Sequence, residues 1–385
     1  MKDKQTKQTR LDAFKEVCHR WLHIENDEYI DVVFGVVFAN RLDAKPVWLY
    51  LVAPPGGGKT EIIQSFARHS TIYALTKLTE NTLVSGKITE PGEEDASLLP
   101  KLHGKILVIK DFTVILTGRH DKAVEIFGQL RDVYDGSCRG AYGTGKDTEY
   151  KSKFGIIAAV TSVIDKHLHL LSSLGERFLT YRLPKLSEAE TKARTLLAAE
   201  NRSVKQQEEE LKNAAHAVLD LNPEPASISD ELKQELAEMA QFVAIARTGI
   251  RRDRQTKEIE ALPDPEVPTR LVKQFVSLAQ GIAMTRERKQ VTPDEIRLVA
   301  KVAVDSIPPM RTKLLSCLME VYPNSIHVDN LAQKLRLAES TVRAWLEELY
   351  VLEIVDKTKM DFSPVIPYDW KITNKYAELL KRFGI

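Results

Sequence analysis

The stretch Val47-Trp-Leu-Tyr-Leu-Val-Ala53-Pro-Pro-Gly-Gly-Gly-Lys-Thr60 runs an apolar strand straight into a glycine-rich loop that ends in Gly58-Lys59-Thr60. The residues after it place Ile62, Ile63 and Phe66 on one face, the spacing of an amphipathic helix. Strand, glycine loop and helix in this order predict a phosphate cradle, because the loop turns its backbone N–H groups towards one point and the helix start adds its positive end. The cradle is assigned to Pro55, Gly56, Gly57, Gly58, Lys59, Thr60 and Glu61. Lys59 is expected to reach the β- and γ-phosphates of ATP, and the Thr60 hydroxyl to hold Mg²⁺. Ala53 stands where the pattern G-x-x-x-x-G-K-S/T has its first glycine, and the three glycines that follow keep the loop pliable.

With 385 residues the chain has room for two or three domains, each with a core of its own. A net charge of +1 removes any global pull towards nucleic acid or an acidic surface, so a basic patch has to be local. The longest apolar run, Val32 to Ala39, is too short to span a bilayer, and the lysine-rich N-terminus lacks the apolar stretch of a secretory signal. Cys18, Cys138 and Cys317 lie far apart, which fits a reducing compartment. The expectation is therefore a cytoplasmic protein with no membrane partner. Cys18, His19 and His23 fall close together on an expected helix, but no fourth ligand accompanies them and ordinary packing is the reading.

Working outward from the loop, two helical stretches precede it at about 11–24 and 28–42. Short apolar runs of strand length follow it at Ile72–Leu75, Ile106–Ile109, Phe154–Val160 and Phe178–Leu183, alternating with helical patterns. Such alternation predicts an α/β fold, a parallel sheet with helices on both faces. After Pro184 come long runs rich in Glu, Lys, Ala and Leu, broken at Asn222-Pro-Glu-Pro225 and at Pro263-Asp-Pro-Glu-Val-Pro268, which read as helices joined by proline loops. Beyond Pro308-Pro309, residues 328–335 and 340–349 form a helix-turn-helix pattern, and Glu353–Lys357 can enter a wing strand.

Two further strands carry chemistry at their ends. Ile106-Leu-Val-Ile-Lys-Asp111-Phe112 fits a Walker B strand, with Asp111 as the acid beside Mg²⁺ and the attacking water. Two consecutive acids are usual there. Here Asp111 stands alone between Lys110 and Phe112, so either acid's role can fall to it and the rate of hydrolysis stays open. Phe154-Gly-Ile-Ile-Ala-Ala-Val-Thr161-Ser162 ends in hydroxyls, and Thr161 is placed to orient water near the γ-phosphate. Arg177 precedes the last strand, where it can reach a neighbouring subunit's phosphate or pair with a local carboxylate.

The order of glycine loop, Asp111, Thr161 and Glu176-Arg177-Phe178, followed by a helical lid, resembles an AAA+ ATPase. Within that group it is similar to the pre-sensor-1 hairpin branch, which holds the minichromosome-maintenance helicases and related proteins of phages and mobile elements. Ala158-Ala-Val-Thr-Ser162 resembles that branch's Ala-Ala-Ala-Asn-Pro strand, Ile245-Ala-Arg247 its lid motif, and Pro268-Thr-Arg270-Leu-Val-Lys-Gln274 its sensor 2 segment. The likeness covers about residues 28–305. It departs in Thr161 for the usual Asn, in the single acid at Asp111, and in lacking the large N-terminal DNA-binding domain. The resemblance implies catalytic roles for Asp111, Thr161, Arg177 and Arg270, metal binding by Thr60 and Asp111, and assembly into a homo-oligomeric ring, with a hexamer expected. It also implies four parts: an N-terminal polar and helical segment at 1–27, the AAA+ core with its hairpin at 28–184, a helical lid at 185–307 and a winged helix at 308–385.

Contacts with DNA are expected in two places. Residues 139–153 read as a hairpin with a glycine-rich tip around Thr144 and Gly145. In the resembled branch such a hairpin enters the ring channel, and Lys146 matches its phosphate-gripping lysine, with Lys151 alongside. A second basic cluster, Arg251-Arg252-Asp253-Arg254, reads equally as a phosphate contact or a solvated helix end. Ser340, Thr341 and Arg343 open the second helix of the helix-turn-helix, while Glu339, Glu347 and Glu348 oppose phosphate. DNA and protein both remain open as its partner. The leading expectation is a DNA translocase or helicase-like ATPase of replication or recombination. The alternatives are an ATP-dependent oligomeric switch that recruits partner proteins, and a site-specific DNA-binding regulator with a slow ATPase.

Overall fold

The computed structural model describes residues 8–24, 26–54, 56, 59–85, 87, 95–141, 147–167, 176–200, 203–253, 255–359 and 368–385. Five apolar runs form one parallel sheet: β1 (Trp48–Val52), β2 (Ile72–Leu75), β3 (Ile106–Ile109), β6 (Gly155–Val160) and β7 (Phe178–Arg182). Between β3 and β6 a separate antiparallel pair is made by β4 (Cys138–Ala141) and β5 (Asp147–Tyr150). The sheet order is β2-β3-β6-β1-β7. The strands are apolar throughout because a parallel sheet is covered on both faces, and β1, β3 and β6 are buried at every position.

By compactness the chain divides into two units. Of the described residues, the first comprises those up to 167, those from 176 to 229 and 273–299, and the second 230–272 and 300–385. In the first unit Trp48 and Tyr50 anchor an aromatic core. Tyr50 stacks on Phe178 at 4.0 Å between ring centroids, and the Trp48 indole N–H donates to Phe154 O at 2.9 Å. Burial of this kind is the main term holding the sheet to its helices.

The helix Glu28–Ala39 is apolar all round and buried from Tyr29 to Ala39. Its one buried acid, Asp31, is held by Arg286 Nε at 2.8 Å and Lys15 Nζ at 2.5 Å. That helix also makes a close backbone crossing. A Cβ at Gly281 would lie 2.1 Å from Gly35 O and 2.7 Å from Ala39 N, both backbone atoms that cannot turn aside. Gly281→Ala is therefore expected to destabilise the protein by about 1–3 kcal/mol. A lower urea midpoint at unchanged slope checks it; an unchanged midpoint contradicts the crossing.

The second unit contains the helix Asp230–Ala246, the helix Pro309–Met319, and a three-stranded antiparallel sheet in the order β8-β10-β9. Its strands are β8 (Ile326–His327), β9 (Val355–Lys359) and β10 (Tyr368–Ile372). Helices Val328–Leu335 and Glu339–Val351 pack on it through Leu331, Val342, Leu346 and Leu349. Arg311, 2% exposed, ties this core together by donating to Ala246 O, Thr248 O and Glu348. Among the described residues no helix is long and apolar enough to cross a membrane.

Candidate active site

The glycine loop leaves the sheet from a fixed base. Leu183 N donates to Val52 O at 2.9 Å, and Ala53 N donates to Val160 O at 3.1 Å, so the end of β1 is pinned to both neighbours. Gly56 then turns the chain with φ of +75°, a left-handed conformation that favours glycine. A Cβ there would meet nothing within 4 Å, so the backbone and not the space requires glycine. Pro55, Gly57 and Gly58 lie outside the described residues. The helix Lys59–Ser65 starts directly after the loop, with Thr60 and Glu61 half-buried in its first turn.

Lys59 is folded back under the loop. It is 8% exposed, and its Nζ donates to Ala53 O at 2.7 Å. Burial pushes its ammonium below the ordinary lysine range, while the negative charges of Asp111 and Glu61 oppose that shift. The Asp111 charge therefore reaches Lys59.

Asp111 and Thr161 come from the two strands on one side of β1. Thr161 follows β6 directly, and Asp111 follows β3 by one residue beyond Lys110. Phe112 N donates to Ala159 O at 2.8 Å, which sets the two strand exits level. Between them stands Thr113, which the sequence reading did not single out. Asp111 Oδ1 accepts from Thr113 N at 3.0 Å, and Thr161 N donates to Thr113 Oγ1 at 3.2 Å. The signal for it was present in Asp111-Phe-Thr113: an Asp side chain commonly accepts from the amide two residues on. Thus a cation, a carboxylate and several hydroxyls lie at the carboxyl edge of three adjacent strands, where open α/β sheets bind ligands.

Arg177 lies at the opposite edge. It precedes β7, whose Phe178 is paired with Trp48 at the start of β1, whereas the glycine loop leaves β1 after Val52. The five residues of β1 at about 3.3 Å each set these ends roughly 16 Å apart, so the chain does not bring Arg177 to its own loop. Instead Arg177 Nη2 donates to Asp135 at 3.1 Å, and its carbonyl accepts from Gln274 Nε2 at 2.8 Å.

In the second unit Arg247 and Arg270 share one carboxylate, that of Glu266. Glu266 was not read from the sequence as part of this group. Lys146 lies outside the described residues, and Lys151 is exposed just beyond β5. Ser340 and Thr341 are exposed on the first turn of Glu339–Val351, with Arg343 half-buried. The acids set against phosphate contact on that helix need correction. Glu347 and Glu348 are paired with Arg252, and Glu348 also with Arg311, so their charge is compensated locally. The same pairs draw Arg252 into the packing of this unit, while Arg254 lies outside the described residues.

Beside the loop is a small open cleft with about 20 Å³ of enclosed room, lined in part by Tyr29, Pro54, Leu183, Leu186, Glu190 and Arg194. Pro54 belongs to both cleft and loop. Arg194 Nε is held by His23 O at 3.1 Å, and Glu190 closes a capping box with Ser187. Three distant segments supply these walls, so no local pattern announces them.

The five-stranded parallel sheet and its covering helices form an α/β core. No protein-family model matches the chain, and no curated protein matches it in sequence. Among solved structures, that of a "putative ATPase" from Cytophaga hutchinsonii ATCC 33406 is similar at 12% identity, over 77% of this chain and 86% of that one, with a TM-score of 0.44.

Proposed function

We propose that this chain is an AAA+ ATPase that uses ATP and Mg²⁺, forms a ring of like subunits, and acts on DNA as a translocase or helicase-like motor. One observation carries the nucleotide reading: the exits of three adjacent parallel strands bring Lys59, Asp111 and Thr161 to one edge of the sheet. The donor set fits the ligand, with an ammonium for phosphate oxygens and the Thr60 hydroxyl and Asp111 carboxylate for a hard divalent cation. Bound Mg²⁺ supplies charge to the phosphate oxygens.

Within this reading Lys59 moves from Ala53 O to a phosphate. Asp111, held through Thr113, keeps one carboxylate oxygen for the metal or for water, and Thr161 shares that support. Pro54 joins the phosphate loop to the cleft, whose wall of Leu183 and Leu186 offers an apolar face against which a nucleobase would lie. Arg177, at the far edge of the sheet, serves a neighbouring subunit, and Arg270 supplies a further guanidinium. The proposal keeps a core at 28–184, a helical lid at 185–307 and a winged helix at 308–385. The two-helix and three-strand arrangement at 326–372 supports the last of these. A setting in replication or recombination of a phage or mobile element rests on the resemblance alone, and a cytoplasmic location on the composition and the three scattered cysteines. The reading as a slow switch has its own support in Asp111, which stands without an acidic neighbour in sequence.

ATP turnover with and without single- and double-stranded DNA tests the motor reading. DNA is expected to stimulate turnover, and Lys146→Ala to remove the stimulation while leaving basal turnover. Stimulation that survives Lys146→Ala contradicts the channel hairpin. Turnover indifferent to DNA, with nucleotide-dependent assembly intact, would favour the switch.

A further inference from the structure

Strands β6 and β7 are not neighbours, because β1 lies between them. An ion pair nevertheless joins them. Arg182, the last residue of β7, donates from Nη1 to Asp165 Oδ2 at 3.0 Å and from Nη2 to Asp165 Oδ1 at 2.7 Å. Asp165 sits in the short helix Ser162–His167 that begins directly after Thr161, and Ile164 N of that helix donates to Thr161 O at 3.2 Å. The strand register places Val52, the last residue of β1, opposite both Val160 and Arg182. The pair therefore connects the two sides of the strand from which the glycine loop departs.

Each end of this connection abuts a different part of the candidate site. On one side it holds the turn that carries Thr161. On the other it holds the residue before Leu183, and Leu183, Pro184 and Leu186 line the cleft. The side chains are 21% and 25% exposed, so screening by water limits what the pair adds to overall stability. Its bidentate form adds what a single contact lacks, a fixed distance and a fixed orientation.

We propose that Arg182 and Asp165 are positioning residues that set the span between the cleft and the Thr161 edge, and so match the site to a whole nucleoside triphosphate. This rests on the nucleotide reading above. The base and the terminal phosphate of a nucleotide are covalently joined, so walls at its two ends serve it together only if their separation is held. A triphosphate without a base touches one end and is indifferent to that span.

The test uses the full chain and compares ATP with inorganic tripolyphosphate by calorimetry, alongside steady-state turnover. Arg182→Lys keeps the charge and loses the fork, and Asp165→Asn keeps the shape and loses the charge. Both are expected to lower kcat/KM for ATP about 100-fold, the usual consequence of misplacement by about 1 Å. KM is expected to rise and kcat to fall, while tripolyphosphate affinity stays within about twofold of the unmodified protein. The exchanged pair Asp165→Arg with Arg182→Asp is expected to recover part of the ATP affinity. Variants that match the unmodified protein in ATP affinity and turnover overturn the proposal. So does equal loss of ATP and tripolyphosphate together with a lowered melting temperature, because that marks a purely structural pair. Unmodified protein that binds neither compound would overturn the nucleotide reading itself.

Discussion

Lys59→Ala is expected to lower ATP turnover about 10²- to 10³-fold, the range seen when one preorganised donor to a developing charge is removed. Lys59 is a cation at 8% exposure that donates to two carbonyls, Ala53 O at 2.7 Å and Pro54 O at 3.5 Å, and burial has already pushed its ammonium down. A phosphate oxygen returns to it the charge compensation that water no longer supplies. The sign of the pH dependence follows. Because the lysine is protonated only below its lowered pKa, kcat/KM, which reports the free protein, is expected to fall with rising pH before the ordinary 10.5 is reached. That alkaline limb should be missing from the residual activity of Lys59→Ala. Folding should survive, since the substitution also removes a desolvated charge. A folded Lys59→Ala protein with undiminished turnover would remove the glycine loop from the chemistry.

Arg177→Ala is expected to have the second large effect, a loss of about 10³-fold or more in turnover, as for arginine fingers supplied by a neighbour. Nucleotide affinity should change far less, because Arg177 lies at the other end of β1 from the loop of its own chain. The pairing with Asp135 at 3.1 Å raises a competing outcome. If Arg177 serves only its own fold, Asp135→Ala should reproduce the effect of Arg177→Ala on turnover. If it serves a neighbouring site, Asp135→Ala should leave turnover within a few-fold, since Asp135 is exposed and the guanidinium remains.

The residues that could be read in advance and those that could not differ in a physical way. The sheet strands were legible because parallel strands are buried on both faces and so appear as unbroken apolar runs, as at Ile106–Ile109 and Gly155–Val160. Lys59 and Thr60 could be singled out in sequence because a glycine-loop cradle needs contiguous residues. The support beneath them was not. Thr113 joins Asp111 to Thr161 across 48 residues of sequence, Glu266 joins Arg247 to Arg270, and the cleft draws on segments near 26, 54 and 190. Pairings of that kind leave no period and no run. The charges on the helix Glu339–Val351 show the converse error. Glu347 and Glu348 looked repulsive to phosphate as a local run, and become compensated once Arg252 and Arg311 arrive from distant positions.

In the proposed ring each site is completed by two copies of the chain, one giving Lys59, Asp111 and Thr161 and the other Arg177. Mixing tests it most directly. Lys59→Ala and Arg177→Ala proteins, each nearly inactive alone, are combined under conditions that allow subunits to exchange, and ATP turnover is followed. Turnover is expected to be regained, because an Arg177→Ala subunit keeps its loop and a Lys59→Ala neighbour still offers the missing guanidinium. A mixture no more active than its two components, with exchange demonstrated, would contradict it.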